Sequence, residues 1–517
     1  MRRGKVPTLN PTLTRRAPIP SSRLDTLLLT VCAASLLVIH IAMGNGYGFH
    51  RDELQFLYDA RHLQWGFVAF PPLTSFCGRI AIALFGISPQ VLRIPAAIAN
   101  AVSLVLTGLI ARELGGRRAA QLLALAAAFP ACLLLSSLLQ YNTFDLLAWL
   151  IICFFAARML RTADLGMDAE RNWLGIGAGI GIGVLSKYTI AFPVVSLLAA
   201  VLLLPSQRHA LRSRWFWLGG LVATIIAAPN LFWLAQHHWI TLQMEHSIHL
   251  RDVRLGRGNG FFSDQLKFTL LAFPLALVGL ISLLRSTRFR LLAALYLGPL
   301  LLLTLMKARG YYLLPGYPLL FAAGTVALER TLAQRPIWLR IAARSALLVA
   351  FALNAAAVVW TYLPIWPVGS PAWKWQMANN SDMANEVGWP QFVAQVAAVR
   401  DALPAADRQH LGVVANNFGE AGALDLYGPE FHLPTPISAV NDFHARGYGS
   451  FPPDPVIVVG STLKNQLKNF QSCSVVARTV LPYGVHNEET DDEPEILLCR
   501  HPRYPWLHIW ARVQEFG

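Results

Sequence analysis

The first polar stretch of the chain carries two adjacent acids, Asp52 and Glu53, which follow His50 and Arg51. A carboxylate beside a hydroxyl group can accept its proton as a new bond forms, so both acids are candidates for general-base catalysis. Their oxygens also suit Mg²⁺ or Mn²⁺ as metal ligands, and His50 would permit Zn²⁺. The alternative is a capping role for Asp52, because the next residues have the spacing of a short interfacial helix with one apolar face.

Two further ionisable residues, Asp145 and Lys187, lie next to long apolar runs. An ion at the bilayer centre costs about 2.5–3.5 kcal/mol on insertion scales, so such residues are candidates for function. Asp145 stands at the start of an apolar helix that Asn142 or Thr143 could already cap, which favours a functional role. For Lys187, a side chain that extends to the membrane surface explains the pattern as well as a binding role does.

Basic and aromatic residues gather in two later polar stretches. One contains His237, His238, His246, His249, Arg251 and Arg254, and the other contains Lys307, Arg309, Tyr311 and Tyr312. Cations in such loops can simply face lipid phosphates. If they share one membrane face with the acids, however, the set suits an anionic lipid substrate and a reaction that needs a carboxylate.

The composition excludes a purely soluble protein. The 517 residues are 55% apolar and only 14% charged, which is too little charge to cover a soluble surface. Apolar runs recur along the chain, and about 20 apolar residues cross a bilayer. We predict eleven membrane spans, at residues 26–43, 90–111, 119–138, 144–157, 173–186, 189–204, 215–235, 266–284, 291–306, 312–328 and 345–363.

The basic residues, which give a formal net charge of +14, predict how these spans are oriented. The N-terminal segment contains Arg2, Arg3, Lys5, Arg15, Arg16 and Arg23. By the positive-inside rule it lies in the cytoplasm. Alternate loops fall on the same side and hold further arginines, among them Arg112, Arg117, Arg118, Arg158, Arg161, Arg171, Arg208, Arg212, Arg214, Arg285, Arg288, Arg290, Arg330, Arg335, Arg340 and Arg344. An odd number of spans then puts the C-terminal region outside.

The composition of the chain changes at about Pro364, where apolar runs give way to polar stretches with Pro and Gly turns. A helix-like segment at 390–402 is followed by β-branched runs at 411–415, 456–459, 474–480 and 496–499. We therefore divide the chain into a basic N-terminal segment (1–25), a membrane domain (26–363) and a small extracytoplasmic α/β domain (364–517).

Two of the six cysteines, Cys473 and Cys499, lie on predicted strands of the outer domain. A disulfide between them is compatible with an oxidising compartment, but the sequence alone leaves the pairing open. Glycines alternate from Gly175 to Gly183 within an apolar run, which favours close helix packing over phosphate binding. No convincing nucleotide-binding motif is present.

The run HRDELQFLYDARHLQWGFVAFPPLTSF (residues 50–76) resembles the first-loop signature of the GT-C membrane glycosyltransferases. This broad family includes dolichyl-phosphate-mannose protein mannosyltransferases and aminoarabinose transferases. LSKYT, PNLFWLAQHHW, YYLLPGYPLL and NNFGEAGALDLYG resemble further stretches of bacterial members. The resemblance covers nearly the whole chain. It implies an all-α polytopic GT-C domain with an amphipathic first outer loop, followed by the small α/β domain.

The resemblance also implies a reaction, the inverting transfer of a sugar from a polyprenyl-phosphate carrier to an acceptor at the outer face. Asp52 would be the general base, Glu53 would help to position the acceptor or a metal, and Asp145 resembles a second acidic position. The remaining candidates would contact the substrates: His50, Arg51, Lys187, Tyr188, His237, His238, Lys307, Arg309, Tyr311 and Tyr312. A site with a divalent metal (Mg, Mn or Zn) and a metal-free site both stay open.

The acceptor stays open between lipopolysaccharide or lipid A, a protein and a cell-wall glycan. We expect a bacterial inner-membrane protein whose partners are a lipid-linked sugar donor, an envelope acceptor and membrane lipids, without nucleic acid. A transporter or flippase for a polyprenyl-linked or anionic substrate is the competing hypothesis. Transporters often have internal repeats and sites near the midplane. The sequence shows no repeat, and its unusual charges gather at one face.

Overall fold

The structure is a computed structural model that describes residues 23–43, 46–163 and 167–517. Most of the basic N-terminal segment, residues 1–22, lies outside the described residues. So do Gly44 and Asn45, at the start of the first outer loop.

The membrane part is built from helices joined by short connections. Its helices are α1 (Arg23–Met43), α2 (Arg51–Arg61), α3 (Leu73–Phe85), α4 (Pro89–Glu113), α5 (Arg118–Leu135), α6 (Tyr141–Arg161), α7 (Met167–Glu170), α8 (Asn172–Ser186), α9 (Ala191–Leu203), α10 (Arg214–Gln236), α11 (Ile240–Arg254), α12 (Phe261–Thr269), α13 (Phe273–Arg285), α14 (Arg290–Leu305), α15 (Tyr317–Leu332) and α16 (Ile337–Tyr362). Short 3-10 segments at Tyr188–Ile190 and Gly310–Gly316 lead into α9 and α15.

Seven of the described helical segments are long and apolar enough to cross a bilayer, from Pro89–Glu113 to Ile337–Tyr362. Shorter apolar helices accompany them, at Leu27–Met43, Leu73–Phe85, Asn172–Ser186, Tyr188–Leu203 and Arg290–Leu305. Every predicted span overlaps one of these segments. The chain is therefore a multi-pass membrane protein.

Helix α3 lies within the stretch that the sequence assigned to the first outer loop. This helix was not predicted. Its 13 residues reach only about 20 Å at 1.5 Å per residue. An apolar run of that length falls below the roughly 20 residues by which a span is recognised.

Close packing of α8 against α10 explains the predicted glycine pattern. A Cβ atom on Gly177 would lie 2.0 Å from the carbonyl oxygen of Gly219, and one on Gly219 would lie 2.3 Å from that of Trp173. Only glycine lets the two backbones approach so closely. The prediction of close helix packing at these glycines is confirmed.

Arginine-bearing loops meet at one end of the bundle. Arg330 donates to the carbonyl of Leu114 at 2.7 Å, and Arg288 donates to that of Leu160 at 2.6 Å. Arg161 pairs with Glu113 at 3.1 Å. The acids and cations discussed below lie at the opposite end, beside the outer domain.

The outer domain contains α17 (Pro371–Asn379), α18 (Trp389–Asp401), α19 (Ala405–Gln409), α20 (Phe418–Tyr427), α21 (Leu463–Gln466), α22 (Glu488–Asp491) and α23 (Trp506–Trp510). Its strands are β1 (Gly412–Ala415), β2 (Val456–Val459), β3 (Phe470–Arg478) and β4 (Glu495–Pro502). The four predicted strands are thus confirmed, with β3 and β4 longer than predicted.

The strands form one mixed sheet in the order β1-β2-β4-β3. β1 and β2 are parallel, whereas β4 is antiparallel to both of its neighbours. Cys473 lies directly opposite Cys499 in the β3–β4 register, and the two form a disulfide.

Helix α2 packs into the outer domain as well as onto the bundle. Phe56 is fully buried, and its apolar cluster extends to Phe392 and Leu424 of the outer domain. Gly422 of α20 lies directly against Leu54, and Tyr58 stacks on Phe443 with 3.8 Å between ring centroids. This double packing fixes the position of the residues at the start of α2.

Candidate active site

His50 starts α2 by capping it. Its Nδ1 accepts a hydrogen bond from the backbone N–H of Asp52 at 3.1 Å, and the Glu53 carboxylate accepts one from the backbone N–H of His50 at 3.0 Å. This reciprocal pair satisfies N–H groups that the first turn of a helix leaves unpaired. The cap is therefore His50 and not Asp52, so the side chain of Asp52 is not needed for helix initiation.

Glu53 is buried in a network of hydrogen bonds. Arg93 of α4 donates to both of its carboxylate oxygens, at 2.9 and 2.7 Å, and the backbone N–H of Leu139 donates at 3.0 Å. Arg93 also reaches Glu386 of the outer segment, at 3.0 Å. Burial raises the pKa of Glu386, against the opposing charge of Arg93. Together these bonds join α2, α4 and the outer domain.

The predicted metal pair, Asp52 and Glu53, does not fit a metal ion. Both oxygens of Glu53 already accept hydrogen bonds from Arg93, and the side chain is 0% exposed. A guanidinium group at 2.7 Å excludes a cation from the same carboxylate. Within the described ranges, no group of three His, Cys, Asp or Glu side chains could hold a metal ion.

Asp52, in contrast, presents its carboxylate to solvent. Its side chain is 45% exposed, and its Oδ2 atom lies 3.9 Å from Nδ1 of His50. Its charge also acts on Tyr141 at the start of α6. Asp52 is thus an accessible carboxylate on a rigidly held helix, as a general base requires.

Lys187 lies in a cage formed by three tyrosine rings, one of which belongs to Tyr141. Its Nζ atom is 4.7 Å from the ring centre of Tyr141, 4.8 Å from Tyr311 and 4.1 Å from Tyr312. It donates a hydrogen bond to Asn142 at 2.8 Å, and the residue is only 7% exposed. Aromatic faces stabilise an ammonium group without neutralising it.

Asp145 lies behind this cage. It is 1% exposed, and one of its oxygens accepts a 3.4 Å hydrogen bond from Thr189. Its other oxygen has no hydrogen-bond partner among the described residues. The charge of Asp145 acts on Lys187. Because Asp145 is buried and its charge acts on Lys187, a role as countercharge for the lysine suits it better than direct contact with substrate.

Arg309 forms a two-point ion pair with Asp252 of α11. Its Nε and one terminal nitrogen donate to the two oxygens at 2.5 and 2.6 Å. Burial disfavours the charge of Asp252, but the hydrogen bonds and charge of Arg309 outweigh it and lower the pKa of Asp252. The charge of Arg309 also reaches Tyr311, Tyr312 and Lys187. Arg309 therefore lies at the rim of the tyrosine cage.

Glu245, in α11, is a member of the site that the sequence did not identify. Its side chain is exposed, and its charge acts on Tyr141, Lys187, Tyr188 and Tyr312. No sequence pattern separated it from the neighbouring histidines and arginines, which is why it was missed. Its charge therefore acts on the cage from helix α11.

His50 and Arg51, which were predicted to contact substrate, both have buried side chains with partners in the outer domain. His50 is 3% exposed and its Nε2 lies 3.3 Å from Asp382. Arg51 pairs with Glu488 and lies 4.7 Å over the ring of Phe418. Both side chains contact residues of the outer domain. Their contacts favour a role in domain attachment.

The remaining candidates differ in position. Tyr188 donates to Asn230 at 2.9 Å, and Asn230 in turn donates to the carbonyl of Trp65 at 2.9 Å. His237 stacks on Trp233 at 3.9 Å, and both His237 and His238 are exposed. Lys307 is exposed in a left-handed turn against Gly258. Of these residues, Tyr188 directly follows the caged Lys187 in the chain.

A family model for dolichyl-phosphate-mannose-protein mannosyltransferase matches residues 70–233. The lipid A galacturonosyltransferase RgtD of Rhizobium johnstonii is 28% identical over 225 residues, which are 42% of this chain and 46% of that protein. The lipopolysaccharide core galacturonosyltransferase RgtB of the same organism is 27% identical over 212 residues, 40% of this chain and 41% of that protein. The alignments thus span less than half of each relative.

The crystal structure of ArnT from Cupriavidus metallidurans bound to undecaprenyl phosphate superposes with a TM-score of 0.56. It is 15% identical and covers 92% of this chain and 98% of that one. The fold predicted from the motifs, a GT-C membrane domain with a small C-terminal sheet domain, is confirmed, as is the resemblance to this group of membrane glycosyltransferases.

Proposed function

We propose that this GT-C chain is an integral-membrane glycosyltransferase. It moves a sugar from a polyprenyl-phosphate carrier to an envelope acceptor, with inversion at the anomeric carbon. The observation that carries the proposal is the accessible carboxylate of Asp52, whose charge acts on Tyr141, together with the caged Lys187, which lies over the ring of the same tyrosine. Asp52 and Lys187 thus both act on one tyrosine, which supports a base and a phosphate-binding cation within one site.

Asp52 acts as the general base in this reaction. A bond forms between the acceptor oxygen and the anomeric carbon, while the bond from that carbon to the phosphate oxygen breaks. Polyprenyl phosphate leaves with the bonding electron pair, and Asp52 receives the hydroxyl proton. A positioned carboxylate in this role contributes about 10²- to 10⁴-fold in rate.

Lys187 stabilises the charge that develops on the departing phosphate. Its ammonium group is enclosed by Tyr141, Tyr311 and Tyr312, and so it is held in one position and partly dehydrated. Fixed charges in such surroundings stabilise a transition state more strongly than they would in water. Arg309 adds positive charge at the rim, and its pair with Asp252 holds it in place.

Glu53 and Asp145 position other groups in this scheme. Glu53 and Arg93 lock the first turn of α2, and Asp145 balances the charge of Lys187. The occupied oxygens of Glu53 argue against a metal between Asp52 and Glu53, so the scheme routes no step through a metal.

We propose that the acceptor is lipopolysaccharide and that the sugar is attached to its lipid A or core part. The support is the similarity to RgtD and RgtB, whose names specify these acceptors. The reaction takes place on the outer face of the inner membrane, with the N-terminus in the cytoplasm and the domain from residue 364 in the periplasm. The support for this orientation is the arginine-bearing end of the bundle, opposite the site.

Mass spectrometry of a strain that lacks the chain tests the function. We expect one sugar to be absent from lipopolysaccharide and a polyprenyl-phosphate-linked form of that sugar to accumulate. The wild-type chain restores the sugar, and the Asp52→Asn chain does not. Unchanged lipid A, core and protein glycans would refute the proposal.

A further inference from the structure

The outer domain contains a cavity that shares no lining residue with the tyrosine cage. It has a volume of about 430 Å³ and opens where β1 and β2 end. Asn416 directly follows β1, and Gly460 and Ser461 directly follow β2. Both strands run parallel, so these residues share one edge of the sheet. Ligands of α/β sheets bind at this edge, and pockets of about 300–1,000 Å³ hold small molecules.

Two indole rings line the cavity in fixed orientations. Trp506 donates its Nε1–H to the carbonyl of Pro453 at 3.0 Å and stacks on Tyr448. Trp510 donates to the carbonyl of His444 at 3.2 Å, and one of its faces stacks on the His444 ring at 4.8 Å. These bonds are made away from the cavity, which leaves rigid aromatic walls for a ligand.

Amide and hydroxyl groups line the opposite wall. Asn416 donates to the carbonyl of Val459 at 3.1 Å, and Ser461 accepts from Gln466 at 2.9 Å. The carboxamide of Asn469 also lines the cavity, without a hydrogen-bond partner in the part of the chain that the structure describes. A carboxamide both donates and accepts, as a polyhydroxylated ligand requires.

Two carboxylates, Glu493 and Glu515, complete the lining. Burial, with the nearby charge of Glu515, raises the pKa of Glu493. Neither forms an ion pair among the described residues, and Lys468, which also lines the cavity, donates instead to Asn465 at 3.1 Å. With two carboxylates and one ammonium group the lining has an excess of negative charge, so it disfavours anions and accepts hydrogen bonds from hydroxyl or ammonium groups.

We infer that this cavity is a binding site for a neutral or amino sugar, distinct from the donor site. The C–H face of the sugar packs on Trp510. Asn469 and Asn416 exchange hydrogen bonds with its hydroxyl groups, and Glu493 and Glu515 accept hydrogen bonds from its donor groups. The inference concerns the outer domain alone and does not depend on the transfer reaction.

Saturation-transfer NMR on the full chain in phosphatidylcholine nanodiscs tests this site, since maltoside detergents would themselves present a sugar. Galactose, galactosamine and galacturonate share ring stereochemistry and differ in charge. We expect galactose and galactosamine to bind at millimolar concentration and galacturonate to give no signal. Galacturonate binding equal to that of galactose would overturn the inference, as would the absence of signal from all three sugars.

Three variants assign the signal to the cavity. Asn469→Ala removes an unpartnered amide and should weaken galactose binding about fivefold, the usual effect of one lost hydrogen bond. Trp510→Ala should abolish galactose binding. Trp375→Ala is its control and should leave binding unchanged, because this indole is 46% exposed elsewhere in the domain.

Glu515→Gln should weaken the binding of galactosamine more than the binding of galactose. Glu430→Gln, at an exposed side chain, is its control. Galactose binding that survives both Asn469→Ala and Trp510→Ala would contradict this site.

Discussion

Arg93 donates to both carboxylate oxygens of Glu53, and the same guanidinium group reaches Glu386. The sequence marked Glu53 as one half of a catalytic acid pair. Its neighbour Asp52 faces solvent, one position along the same helix. Adjacent acids on a helix point about 100° apart at 3.6 residues per turn, so a structural and a catalytic carboxylate can stand side by side.

Glu53→Gln tests the structural role. Removing one partner of a buried ion pair costs about 3–5 kcal/mol, so we expect a clear fall in the melting temperature of the purified protein. The double variant Glu53→Gln/Arg93→Gln should lose less stability than the sum of the single variants. Exposed Glu430→Gln is the control. A Glu53→Gln protein that melts normally but no longer transfers sugar would assign Glu53 to the chemistry.

Lys187→Met tests the caged cation. Methionine keeps an unbranched side chain among the tyrosine rings, so the fold should persist, while the charge that stabilises the leaving phosphate is lost. We expect kcat to fall by about 10²-fold or more. Lys307→Met is the matched comparison, because Lys307 is exposed and lies outside the cage. An equal fall in kcat in the two variants would show that the caged position of Lys187 has no particular role in the reaction.

Glu245→Gln tests the carboxylate that the sequence did not reveal. Its charge opposes that of Lys187 and Arg309, so neutralising it should strengthen the binding of polyprenyl phosphate. An effect on the order of 1 kcal/mol gives a three- to tenfold lower inhibition constant for added polyprenyl phosphate. A higher inhibition constant would mean that Glu245 itself helps to bind the carrier.

Asp59 and Asp442 give the protein a predictable pH dependence. Burial and the charge of Asp442 raise the pKa of Asp59, which lies in α2. Burial also raises the pKa of Asp442, from 3.8 to about 7. An acid whose pKa is raised on folding binds its proton more tightly in the folded state. Stability therefore declines as pH rises from about 4 through 7.

Thermal melts between pH 4 and pH 8 measure this effect. The wild-type melting temperature should fall over that range, and Asp59→Asn should flatten the decline and melt higher at pH 8. Asp491→Asn, at a side chain 53% exposed, should keep the wild-type slope. An unchanged slope in Asp59→Asn would remove the pair as its cause.

The sequence predicted the bundle well because long apolar runs and arginine-bearing loops are strong local signals. The four strands of the outer domain were also predicted, whereas α3 was missed because its apolar run is too short. Among the site residues, the sequence predicted Asp52, Lys187, Tyr311 and Tyr312, which the structure brings to one end of the bundle.

Ion pairs between distant segments could not be predicted from the sequence. Glu53 with Arg93, Arg51 with Glu488 and Arg309 with Asp252 each link residues separated by at least 40 positions. Such partners decide whether an ion is free to act or already neutralised, and no local pattern encodes them. Glu245 was missed for the same reason.

Transfer of a labelled sugar from a polyprenyl-phosphate donor by purified Asp52→Asn protein tests the central claim most directly. Asp401→Asn, at a side chain 57% exposed, is the matched control. We predict that Asp52→Asn melts like the wild type and binds polyprenyl phosphate normally, while kcat falls by about 10²-fold or more. Near-normal turnover by Asp52→Asn would contradict the assignment of Asp52 as the general base.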